Sequence, residues 1–159
     1  MSPESDPKDR EIEISRIYDA PPAVVFKAWS DAAQLKEWWA PEGFTNPVCE
    51  IDFRVGGAWR VVMRAPDGST YPCGGVYQEI DEPSRLVFTN DATDASGKVV
   101  LQGRTTVLFD AVGERTKLTV RSRATAMVDY ATVYLEGMQE GWSQSLEKLA
   151  RLSLELSSQ

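Results

Sequence analysis

Over residues 49–121 apolar side chains recur at every second position, and over about residues 129–156 they recur every third or fourth. A two-residue period sends alternate side chains to opposite faces of a strand. A period near 3.6 gives a helix one apolar stripe. The chain therefore makes a long antiparallel meander first and one amphipathic helix of roughly seven turns afterwards. In that helix the stripe runs through Leu135, Met138, Trp142, Leu146 (or Ser145), Leu149, Leu152 and Leu156. Gly137 and Gly141 lie close to the Met138–Trp142 face. Each costs about 1 kcal/mol against alanine, which implies close backbone approach to a neighbour or room left for a ligand.

Residues 1–10 are polar and carry two prolines, the pattern of a disordered tail; residues 11–156 are expected to form one domain. Residues 11–18 alternate, with Ile12, Ile14, Arg16 and Tyr18 on one face of a strand. Pro21 and Pro22 then start a helix carrying Val25, Phe26 and Trp29. Ser30 or Asp31 caps a second short helix through Leu35, Trp38 and Trp39, ended by Pro41. In the meander Ile51, Phe53 and Val55 form a strand broken by Gly56-Gly57. Trp59, Val61 and Met63 share a face of the next strand, and Thr105, Val107 and Phe109 a face of a later one. Further strands fall at 75–80, 85–89 and 117–121, with a polar loop at 91–98, giving about seven strands in all.

The chain has no histidine, which removes the commonest general base and the commonest metal ligand together. Its net charge of −7, without a basic run, argues against nucleic acid. No stretch reaches the ~18 apolar residues of a membrane span, and none near the start reads as a secretory signal. A soluble, cytoplasmic protein is expected. Cys49 and Cys73 form no Cys-x-x-Cys pair and read as buried thiols in a reducing compartment. Glu79, Asp81 and Glu82 span a turn, Asp91 and Asp94 fall in the polar loop, and Glu136 and Glu140 are four apart on a wet helix face. None of these assembles a metal site or a catalytic set, so no catalytic residue, metal or cofactor is assigned.

Four segments narrow the picture: Ala20-Pro21-Pro22-Ala23-Val24-Val25-Phe26-Lys27-Ala28-Trp29, Trp38-Trp39-Ala40-Pro41, Asp52-Phe53-Arg54-Val55-Gly56-Gly57-Ala58-Trp59, and Gly141-Trp142. With them the chain, over about residues 11–153, resembles bacterial members of the family named for the C-terminal domain of the activator of heat-shock protein 90 ATPase. That family lies within the START and birch-pollen-allergen-like superfamily. The resemblance implies an α+β helix-grip fold, a curved antiparallel sheet wrapped on a long C-terminal helix with a mostly apolar cavity between them. Relatives in the superfamily bind lipids, sterols, plant hormones or polyketides, and a few catalyse cyclisation or hydrolysis. The eukaryotic namesake stimulates a chaperone ATPase and carries an additional N-terminal domain, where this sequence has a tail of about ten residues.

In such a fold the cavity is lined by inward strand positions and the inner helix face. The candidates are Trp38 and Phe44 at the mouth, Trp59, Met63, Tyr77 and Phe88 on strands, and Met138 and Trp142 on the helix. Arg104 has two readings. Facing inward, its guanidinium needs a carboxylate or an anionic ligand; facing outward, it is solvated. The leading expectation is binding, carriage or sequestration of a small apolar or aromatic metabolite, without catalysis. The alternatives are a cyclase or dehydratase using Tyr77, an acid or an arginine, and a partner-binding protein, either a co-chaperone or a homodimer. Fold alone does not choose among them.

Overall fold

The alternation that opens the chain becomes strand β1, Asp9–Tyr18, in the computed structural model, which describes residues 8–157. Asp9 pairs with Thr125 and accepts hydrogen bonds from Arg123 and Thr125, so the last two residues of the expected tail belong to the sheet. Residues 1–7 lie outside the described residues. Helix α1, Pro22–Ser30, starts on its proline and buries Val25, Phe26, Ala28 and Trp29. Helix α2, Ala32–Trp38, is capped by Asp31, whose Oδ1 accepts from the Ala33 N–H. It stops one residue before Trp39. Asn46 Nδ2 donates to the carbonyls of Lys36 and Trp39, which ties off the helix end.

The meander follows as β2 (Thr45–Ile51), β3 (Ala58–Arg64), β4 (Thr70–Asp81), β5 (Arg85–Thr93), β6 (Val99–Val112) and β7 (Arg115–Ala126). The sheet is antiparallel throughout, in the order β1-β7-β6-β5-β4-β3-β2. Each strand of the meander thus pairs with its chain neighbour, and β1 closes onto β7. Two expectations change here. Phe53 and Val55 leave the sheet, because a tight turn runs from Asp52 to Gly57. A Cβ at Gly57 would lie 2.0 Å from the Asp52 carbonyl oxygen, so only glycine fits there. Asp91 is not in a loop but in β5, which runs on to Thr93.

The C-terminal segment is not one helix. A 3-10 turn, Asp129–Ala131, leads into α3, Thr132–Glu136, and α4 then runs from Met138 to Ser157. The break falls at Gly137, as the low helix propensity of glycine favours. Helix α4 is anchored in the sheet by Tyr18, whose hydroxyl donates to the Leu146 carbonyl at 3.0 Å, and outside it by an Arg16–Glu147 ion pair. Leu146 and Leu149 are fully buried against α1, β1 and the inner strand faces. The result is the helix-grip arrangement. Among the described residues no helix is long and apolar enough to cross a membrane.

Candidate functional site

All five tryptophans meet in one cluster between the sheet and α4. Trp29 packs on Trp38 with centroids 4.5 Å apart and stacks on Trp142 at 6.2 Å. Trp39 contacts Trp38, Trp59 and Trp142 at 5.8, 5.3 and 5.5 Å, so it bridges strand, helix and core. These edge-on and offset contacts are the favoured geometries of aromatic pairs. Two indoles are fixed by hydrogen bonds to backbone: Trp38 Nε1 donates to Ala28 O and Trp59 Nε1 to Thr89 O, both at 2.9 Å.

Beyond this cluster the interface opens into a cavity of about 210 Å³. Trp39, Trp59 and Trp142 form its inner wall, Met63 and Cys73 face it from β3 and β4, and Met138 from the start of α4. Ala92, Leu101 and Ala124 continue the floor across β5, β6 and β7. Tyr134, Leu135 and Pro41 complete the lining. The loop at Pro41 is held to α4: Lys148 Nζ donates to Pro41 O, Gln144 Oε1 accepts from the Glu42 N–H, and Arg151 pairs with Glu42. Ala40, just before Pro41, has φ of 85°, in a region costly for any residue with a Cβ. A much smaller void of about 10 Å³ lies deeper, between Trp29, Tyr77 and Phe88.

Of the residues singled out from sequence, Trp59, Met63, Met138 and Trp142 lie together on the cavity wall. Tyr77 and Phe88 lie on the deeper void. Trp38 is not at the mouth: it is fully buried, and the side chain on the wall is its neighbour Trp39. The end of α2 between them turns the two indoles different ways. Phe44 is also off the wall, packed on Tyr71, which in turn meets Tyr134 of the lining. Arg104 is exposed on the outer face of β6, since Thr105, Val107 and Phe109 take the inner one. Trp39, Cys73, Asn90, Asp91, Tyr134 and Ser145 are among the wall residues that the sequence does not single out as cavity-lining. For Asn90 a signal existed: continuing the inward alternation of Leu86 and Phe88 by one step reaches it.

Burial shifts the titratable groups near the cavity toward their protonated forms. It pushes the Cys73 thiol up to about 12, and its Sγ lies 3.4 Å from Val61 O as a donor. The Cys49 thiol and the Tyr77 phenol are likewise raised above their ordinary values by desolvation. Burial also raises the Asp91 carboxyl. Asp91 lines the cavity together with its neighbours Asn90 and Ala92. No Lys or Arg stands among the described residues of the wall. Among the described residues no cluster of Cys, Asp or Glu could hold a metal ion.

The comparisons fit this geometry. The model of a family described as "Activator of Hsp90 ATPase homolog 1-like protein" matches residues 19–153. No curated protein gives a match. A crystal structure of a Chromobacterium violaceum protein is 30% identical, covers 90% of this chain and 96% of its own, and superposes with a TM-score of 0.74. The AHSA1 protein from Silicibacter pomeroyi is 27% identical over 92% of this chain and 99% of its own, with a TM-score of 0.75. A solution structure from Arthrobacter aurescens is 26% identical, with 95% and 90% covered and a TM-score of 0.78.

Proposed function

The chain belongs to the family of Activator of Hsp90 ATPase homolog 1-like proteins, and on that footing we propose that it binds, carries or sequesters a small apolar or aromatic metabolite between its sheet and C-terminal helix. The observation that carries this reading is the cavity of about 210 Å³, lined by three tryptophans, Trp39, Trp59 and Trp142, together with Met63 and Met138. Tryptophan offers a large rigid face for a ring or a hydrocarbon, and methionine adapts to irregular outlines. Trp59, Met63, Met138 and Trp142 are the contact residues in this proposal, with Trp39 beside them.

The same wall favours holding over reacting. A nucleophilic thiol needs a lowered pKa, and Cys73, the thiol on this wall, is shifted the opposite way. Native mass spectrometry of gently purified protein, followed by denaturing spectra of what is released, tests the proposal. A stoichiometric small molecule lost on unfolding supports it. A clean apo mass, with no rise in melting temperature across a panel of aromatic and aliphatic compounds, overturns it. The same spectra read monomer against dimer.

A further inference from the structure

Asn90 sits on the inner face of β5, on the cavity wall, two residues after Phe88. Its Oδ1 accepts a hydrogen bond from the Thr105 hydroxyl at 2.7 Å. Thr105 Oγ1 lies 2.8 Å from Ser122 Oγ, and both hydroxyls are buried. With Thr105 donating to Asn90, Ser122 must donate to Thr105, so a relay across three strands fixes the amide. The carbonyl end is held, and the NH2 end, with two N–H donors, has no hydrogen-bond partner among the described residues. The backbone makes room for that end. A Cβ on Gly103 of β6 would come within 2.8 Å of Asn90 Nδ2.

Resting on the binding reading above, we infer that the ligand presents an uncharged hydrogen-bond acceptor, a carbonyl oxygen on an aromatic or apolar body, to the Asn90 side-chain amide. A donor fixed in an apolar cavity favours any ligand that supplies an acceptor and penalises one that does not. An anionic acceptor is disfavoured, because no Lys or Arg among the described residues of the wall compensates its charge. Lys148 already donates to Pro41 O. The net charge of −7 adds to the bias against anions.

Three probes of similar shape test this in the intact protein: acetophenone, ethylbenzene and benzoate. A cavity of about 150 Å³ accommodates benzene, so one of about 210 Å³ has room for a ring and a short substituent. Proton–nitrogen correlation spectra give each affinity and follow the Asn90 side-chain NH2 resonances directly. The expected result is acetophenone binding at least about threefold tighter than ethylbenzene, with the Asn90 NH2 signals moving only for the ketone, and benzoate weakest. In Asn90→Asp, which keeps an oxygen for Thr105 and loses the N–H donors, the preference for the ketone disappears. Equal affinities for ketone and hydrocarbon in the wild-type protein, or unmoved Asn90 signals, overturn the inference and leave the pocket reading standing. Benzoate binding as tightly as acetophenone overturns the uncharged assignment. Failure of both ketone and hydrocarbon to bind overturns the pocket reading, and this inference with it. If Asn90→Asp does not fold, the wild-type ketone–hydrocarbon pair still decides.

Discussion

Where α1, α2 and β3 meet α4, five tryptophans fill the space between helix and sheet. Where α3 lies over β6 and β7, the filling is Val100, Ala124, Ala126, Ala131 and Leu135. Both ends use the same sheet and the same C-terminal segment. Large rings at one end interlock and leave a void of about 10 Å³. Small side chains at the other cannot reach across, and the cavity of about 210 Å³ begins where the tryptophans stop. The outer surface changes in step: Met127, Tyr130, Val133 and Tyr134 are all exposed around the small-residue end. A site in this fold follows from how much side-chain volume the helix carries at each turn.

Truncating the closed end has the largest expected effect. Trp38→Ala removes a fully buried indole and its bond to Ala28 O, and is expected to cost about 3–5 kcal/mol in equilibrium unfolding. A loss under about 2 kcal/mol would mean the tryptophan cluster is loosely packed and the contrast false. Leu135→Ala, at the open end, is expected to cost about 2–3 kcal/mol, because its neighbours are small and the space beside it is already open. Matching losses at the two positions would erase the distinction.

Gly137→Ala works in the other direction. The residue has helical backbone angles and a Cβ there meets nothing within 4 Å, so alanine should raise stability by up to about 1 kcal/mol. Destabilisation instead would show that the break between α3 and α4 is required by the packing of the open end. The smallest effect concerns the outer face of that end, where Arg123 and Thr125 hold the Asp9 carboxyl below its ordinary 3.8. A depressed carboxyl stabilises the fold above 3.8, and that contribution is lost as pH falls through the lowered value. Asp9→Asn should therefore melt slightly lower at neutral pH and show a shallower decline in acid. Parallel melting curves at every pH would remove Asp9 from the account of this end.

Much of this architecture was readable before any coordinates, because it rests on period. The inward set Trp59, Val61, Thr105, Val107 and Phe109 falls out of two-residue alternation, and Leu135, Leu146 and Leu149 out of the helical stripe. The cavity wall was only partly readable, since it depends on where regular structure ends. Trp38 and Trp39 are adjacent and chemically identical, and only the chain's exit from α2 at Trp39 decides which one faces the cavity. Asn90 falls between the strand expected at 85–89 and the polar loop expected at 91–98, although its pairing with Gly103 of β6 keeps it in a strand. The break at Gly137 was hinted at by composition, but the stripe runs through it uninterrupted.

The placement of β1 beside β7 has a further consequence, in time. Ser15 and Thr119 meet across that pair though they stand 104 residues apart in the chain. At the usual pace of synthesis roughly 5 to 20 seconds separate their emergence from the ribosome. During that interval β1 has no strand to pair with, while the meander from β2 onward can zip up hairpin by hairpin as it appears. The glutamates at positions 11 and 13, on the wet side of β1, keep the waiting segment charged. Closing the sheet is therefore the step that brings the earliest-made strand to one of the last, and the greasy face of α1 waits longer still, for α4.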